Sequence, residues 1–108
     1  MASEVLKVAH QIVTNSEMVL INGVSGHTYT ILSVSMCETA GNAEIINMFI
    51  DDGGAGTDRE MLSDQDIGAN ETFMWNDKFV IEATDHLCLA TNSSAAVHVV
   101  VSYLDQTL

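Results

Sequence analysis

Apolar and polar residues alternate with a period of two along most of this chain, and turn-forming residues interrupt the alternation at short intervals. That combination predicts strands, because successive side chains of a strand point to opposite faces of a sheet. Strands are expected near 6–13, 17–21, 28–37, 44–50, 71–75, 78–82, 86–91 and 96–104. In the third of these, Thr30, Leu32, Val34 and Met36 share one face; Ser33 and Ser35 take the other, where Tyr29, Ile31 and Cys37 add apolar area. Apolar residues in both phases suit a central strand. In the fourth, Ile46, Met48 and Ile50 oppose Ile45, Asn47 and Phe49. The last places Val97, Val99, Val101 and Tyr103 on one face and Ala96, His98, Val100, Ser102 and Leu104 on the other, and its β-branched run argues against a helix.

Turn chemistry divides the chain at the same places. Asn22, Gly23, Val24, Ser25 and Gly26 separate the second and third strands, Ala40, Gly41 and Asn42 the third and fourth, and Asn92, Ser93 and Ser94 precede the last. Asn76 and Asp77 predict a tight hairpin between 71–75 and 78–82. Residues 51–58 are acidic and glycine-rich and read as an exposed loop at the tip of the molecule, followed by a short strand or helical turn over 59–66. About eight short strands with such spacing predict one all-β domain over 1–108, an antiparallel β-sandwich of jelly-roll type.

Composition agrees with a folded domain: 47% of residues are hydrophobic and 17% charged, outside the regime of disordered chains. Charge then excludes partner classes. Fifteen Asp and Glu face only Lys7, Arg59 and Lys78, for a formal charge of -12. Nucleic-acid affinity rests largely on Lys and Arg displacing counterions, and anionic membranes attract the same residues, so neither nucleic acid nor membrane is an expected partner. Residues 1–4 lack the basic and apolar regions of a secretory signal, which predicts synthesis in the cytosol. Cys37 and Cys88 are then expected as buried thiols, and the sequons at Asn70 and Asn92 carry no weight.

Candidate chemistry is sparse. Gly53, Gly54, Gly56 and Asp58 match the start of a calcium-binding nonapeptide repeat, but Glu60 stands where that repeat needs an apolar residue, and there is one copy. A single loop in which Asp51, Asp52 and Asp58 offer oxygen ligands is the one candidate metal site. His10, His27, His86 and His98 fall in no recognised ligand spacing, and Asp85 and His86 are expected to point to opposite faces. No G-x-S-x-G elbow is present, and no catalytic residue or cofactor is expected. The aromatic residues Tyr29, Phe49, Phe73, Trp75, Phe79 and Tyr103 fall mostly in strand patterns and are expected in the core rather than on a sugar-binding platform.

The order of segments resembles a family of short virion accessory proteins of tailed bacteriophages. Residues 24–31 (Val24, Ser25, Gly26, His27, Thr28, Tyr29, Thr30, Ile31) are similar to that family's turn into a long strand. Residues 67–73 and 78–89 resemble its second half, and 97–104 its closing strand. Ser25 and Gly68 stand where the family has proline, and Asn70 and Thr84 where it has glycine. The resemblance implies a β-sandwich that attaches to a capsid, neck or tail, with the major capsid protein or another virion protein as partner, and that often forms a trimer. The leading expectation is a capsid decoration, or cement, protein made in the host bacterial cytoplasm and located in the virion. Residues 1–10 are the expected docking arm. A neck, tail or fibre-base component, a carbohydrate-binding module and a calcium-dependent adhesive domain are the alternatives.

Overall fold

The computed structural model of the chain describes residues 3–14, 17–52, 58–92 and 96–107, and every regular element in them is a β-strand. In chain order these are β1 (Ser3–Val13), β2 (Met18–Asn22), β3 (His27–Glu38), β4 (Glu44–Asp51), β5 (Arg59–Ile67), β6 (Thr72–Trp75), β7 (Phe79–Glu82), β8 (His86–Thr91) and β9 (Val97–Thr107). Their pairing is nested: β1 with β9, β2 with β8, β3 with β6 and β7, and β4 with β5, all antiparallel. The chain is therefore one long hairpin that turns back between β4 and β5. Further pairing of β3 with β9 and of β4 with β8 rolls it into two sheets. Sheet one has the order β1-β9-β3-β6, with β7 also on β3, and sheet two the order β2-β8-β4-β5. With β6 and β7 taken as one interrupted strand, this is the order of an eight-stranded jelly roll.

The interior follows from the alternation. Val97, Val99 and Val101 of β9 and Val34 and Met36 of β3 are fully buried in one cluster with Ile46 and Met48 of β4 and Leu87 and Leu89 of β8. Removing such a side chain from water contributes roughly 1.5–3 kcal/mol each, so the four central strands supply most of the driving force.

β3 departs from simple alternation, and the departure explains its apolar residues in both phases. Tyr29 and Ile31 are buried, yet so are Val34 and Met36, two sets that a regular strand would place on opposite faces. The register with β9 shifts between Ile31 and Ser33: Ile31 faces Tyr103, whereas Ser33 faces Ser102. Leu32 is thus an extra residue, a β-bulge, and both sets reach the core. Thr30, expected beside Val34 and Met36, consequently lies on the outer face.

The same bulge overturns the predicted hairpin at Asn76 and Asp77. β6 and β7 do not pair with each other; both run along β3, β6 against Val34–Cys37 and β7 against Thr28–Ile31. Asn76, Asp77 and Lys78 span the break beside the bulge, and neither Asn76 nor Asp77 adopts the positive φ that a two-residue hairpin turn requires. The indole N–H of Trp75 donates to the Asp77 carbonyl (2.8 Å), and the Trp75 and Phe79 rings meet edge to face across the gap. The segment at 59–67 proves to be the full edge strand β5.

Residues 3–10, part of the expected arm, belong to β1 in the chain's own sheet, paired with β9 along their length. Most β1 side chains are exposed on both faces; Val13 alone is fully buried. Asn70 adopts a φ of 57°, a left-handed conformation that asparagine tolerates, which accounts for its place where the resembled proteins carry glycine.

Two loops at one end of the sandwich depend on Gly23. Its N–H donates to the Asp85 carbonyl (3.0 Å), and a Cβ there would overlap that oxygen and lie 2.5 Å from the Ala83 carbonyl. Both obstacles are backbone, so relief requires moving the turn between β7 and β8. Gly23→Ala is expected to lower the unfolding free energy by about 1–3 kcal/mol, read by urea denaturation, whereas Gly26→Ala meets open space and acts only through its positive φ.

Candidate interaction surface

The two ends of sheet one are closed by buried carboxylates that the alternation pattern did not single out. At one end, Asp105 accepts from Lys7 Nζ (3.0 Å) and from His27 Nδ1 (2.8 Å), joining β1, β9 and β3. Burial by itself pushes the Asp105 pKa up, but its bonds to His27 and Lys7 outweigh burial and leave it below the usual aspartate range. The Lys7 pKa is raised, first by its hydrogen bond to Asp105 and then by that residue's charge. His27 stacks on Tyr29, which meets Tyr103 edge to face, and the Tyr29 hydroxyl accepts from the Val24 N–H (3.2 Å).

At the other end Glu38, fully buried, accepts from the backbone N–H groups of Ala40 (2.9 Å), Gly41 (2.9 Å), Asn42 (3.0 Å) and Asn70 (3.2 Å). Desolvation raises its pKa; the four donors reverse that and hold it below the usual glutamate range. Glu44 does a similar task on sheet two, accepting from the N–H groups of Ile45 and Asn92. Among the described residues no buried side-chain nitrogen or oxygen lacks a partner. These carboxylates fasten loops and strand ends.

The outer face of sheet one is different in kind. Registers across its strands place Leu6, Leu104, Thr30 and Val80 in one row, Val8, Ser102 and Ser33 in the next, then His10, Val100, Ser35 and Met74, then Ile12, His98, Cys37 and Thr72. No Asp, Glu, Lys or Arg occurs in these rows; Glu4 and Glu82 bound them at one end, and Asp77 and Lys78 lie at the margin. Leu6 is 73% exposed, Val8 59%, Val80 57% and Ile12 55%, and Met74 and Val100 are exposed too. Two depressions lie along it, about 620 Å³ beside His10, Ile12, His98 and Val100, and about 420 Å³ beside Leu6, Val8, Leu32 and Ser102. Large exposed apolar groups gathered on one face are the mark of a contact surface.

Sheet two presents the opposite character. Glu60, Asp64 and Asp66 of β5 are exposed. Phe49 and Cys88 face each other across the ladder and are buried outside the central cluster, on the outer side of the sheet. Burial there, with the charges of Glu17, Asp51 and Asp58, pushes the Cys88 thiol up to about 12, so it is inert at neutral pH. The exterior is thus acidic on the outer side of sheet two and uncharged across the four rows of sheet one.

The candidate calcium ligands lie at the hairpin tip: Asp51 ends β4, paired with His86, Asp52 follows it, and Asp58 precedes β5. Residues 53–57 of that loop, like 93 and 94 of the turn before β9, fall outside the described residues. Among the described residues no three His, Cys, Asp or Glu side chains converge as a metal-binding group. His10 and His98 lie on the uncharged face and His27 in the Asp105 cluster; His86 pairs with Asn22 and Asp51. The His27–Asp105 contact joins residues 78 apart, and nothing in the local pattern signals it.

No family model and no curated protein sequence matches this chain. Solved structures do match in fold. A chain in the acid-stable capsid structure of Helicobacter pylori bacteriophage KHP30 is 14% identical, with a TM-score of 0.59 over 96% of this chain and 93% of that one. A chain from the disulfide-linked pili of Bacillus endospore appendages is also 14% identical, with a TM-score of 0.55 over 99% and 88%. A chain of infectious bursal disease virus, Gx strain, gives 13% identity and a TM-score of 0.53; the match covers 99% of this chain but 38% of that one. At these identities the likeness is one of fold.

The buried carboxylates set the acid limit of the fold. Glu38 and Asp105 have folded pKa values below their unfolded ones, so their contribution is complete above the unfolded values of about 4.3 and 3.9 and is lost as pH falls through the folded ones. The melting temperature is expected to be level above about pH 5 and to fall below about pH 4. Glu38→Gln, which turns an amide donor toward four N–H donors, is expected to lower the neutral-pH melting temperature and flatten the acid limb; an unchanged profile by circular dichroism contradicts the role assigned to Glu38.

Proposed function

We propose that this chain is a structural component of a tailed-bacteriophage virion and acts by contact, as a decoration protein that binds the assembled capsid shell. The carrying observation is a jelly roll with one uncharged apolar sheet face and one acidic face. The likeness in fold to a chain of a phage capsid structure supports the same reading. Binding to the folded shell stabilises it by mass action, which requires buried area and no reaction step. Strand β1 ends sheet one with β9 on one side, so its other backbone edge is suited to extend a neighbouring sheet or receive a strand from it. The acidic face of sheet two favours a basic surface on the partner.

A second reading, a subunit of a surface appendage, is favoured by the likeness to the endospore pilus chain. Covalent linking of that kind has poor material here: Cys88 is fully buried with a raised pKa, which leaves half-buried Cys37. A carbohydrate-binding role is weakened because Trp75 is half-buried, with its N–H committed to Asp77 and its ring against Phe79.

Mass spectrometry of purified particles with copy-number counting, together with imaging of the labelled chain on intact virions, tests the proposal. A copy number comparable with that of the major shell protein and label over the whole shell are expected. Label at one vertex favours the neck or tail alternative. Absence from particles overturns the virion reading.

A further inference from the structure

The contact surface just described has a chemistry that selects its occupant. We propose that the outer face of sheet one packs against the same face of a second copy of this chain, giving a two-fold pair of stacked sheets. This rests on reading that face as a contact surface and goes beyond it by naming what covers it.

Each copy bears a formal -12, and two such bodies repel wherever carboxylates face one another. The acidic outer side of sheet two, with Glu60, Asp64 and Asp66, is closed to a second copy for that reason. Across the four rows from Leu6 to Ile12 on sheet one there is no carboxylate to oppose. A basic partner is drawn to the acidic side and finds no counter-charge on this one. An uncharged, self-matching face on a strongly acidic chain therefore favours a copy of itself, in the isologous arrangement that closes as a dimer.

Shape and area agree. Larger apolar side chains, Leu6, Val8 and Ile12 on β1 and Met74 and Val80 on β6 and β7, flank a centre that includes Ser102, Ser33 and Ser35. Two such faces stack as sheets do in a sandwich, with side chains interlocking. Four strands about 4.8 Å apart and seven residues at about 3.4 Å give a footprint of roughly 450 Å² per copy, or about 900 Å² for the pair before side-chain relief is added. That is below the roughly 1,200 Å² of stable specific interfaces and in the range of transient ones, so the pair is expected to be weak and reversible and to be favoured where copies are concentrated.

Sedimentation equilibrium of the full chain from about 1 µM to about 1 mM reads this directly. The mass is expected to rise from one chain toward two and to stop there. Raising salt from about 0.05 M to about 0.5 M is expected to strengthen pairing, because it screens repulsion between the acidic bodies; an interface made of ion pairs weakens instead. Val100→Glu and, separately, Leu6→Glu each place two carboxylates in the stacked faces and are expected to weaken pairing at least tenfold. Both sites are exposed in the single chain, so circular dichroism melts should match the parent. Val24→Glu, equally exposed but in the loop after β2, is expected to leave pairing unchanged.

A single-chain mass at every concentration, a trimer, or pairing unaltered by both Val100→Glu and Leu6→Glu overturns the proposal. These outcomes separate from those of the virion experiment. A chain found on particles but monomeric when free sinks the pairing alone, and a chain that pairs but is absent from particles sinks the virion reading alone.

Discussion

The extra residue at Leu32 lets both halves of β3 turn their apolar residues to the inside of sheet one. A strand that slips by one residue turns its whole apolar set to the other face. β3 has two apolar sets in opposite phases, and only a step between them buries both Tyr29 with Ile31 and Val34 with Met36. β9 needs no such step, since Val97, Val99, Val101 and Asp105 remain in one phase. The bulge reconciles the two strands. It also breaks the edge strand opposite into β6 and β7, so one local irregularity shapes three elements.

With that register set, the remaining features fall into place from the ends inward. Nested pairing brings the first and last strands together, which is why Lys7 meets Asp105 across nearly the whole length of the chain. A carboxylate at the rim of a core is costly unless its charge is satisfied. Asp105 finds a lysine and a histidine, and Glu38 finds four backbone donors from two separate turns. Each therefore acts as a fastener, and the acids not needed for fastening are free to make one exterior face repulsive to its own kind. What the bulge turns outward on sheet one, Ser33 and Ser35 beside Val100 and Val8, keeps the other face free of charge.

Much of the architecture was legible in the chain. The alternation in 96–104 predicts the inside and outside of β9 correctly as far as Leu104, and the turn at 22–26 closes as expected through the bond from the His27 N–H to the Val24 carbonyl. The division of β3 was not legible, because two apolar sets in opposite phases look like a strand covered on both faces until its partner's register is known. The hairpin at Asn76 failed for a related reason: local turn propensity was overruled by the longer β3 to which both flanking segments pair. The uncharged face was hidden because it assembles from four strands that are distant in sequence. Single exposed apolar residues such as Leu6 or Val80 mean little alone, and only cross-strand registers show that they share rows.

Cross-strand nuclear Overhauser contacts along the β3–β9 ladder read the register on which the burial of β3 and the rows of the uncharged face depend. Contacts are expected between Ile31 and Tyr103 and between Val34 and Val101, with a one-residue step at Leu32. An unbroken register, carrying Val34 opposite Val100, would contradict it.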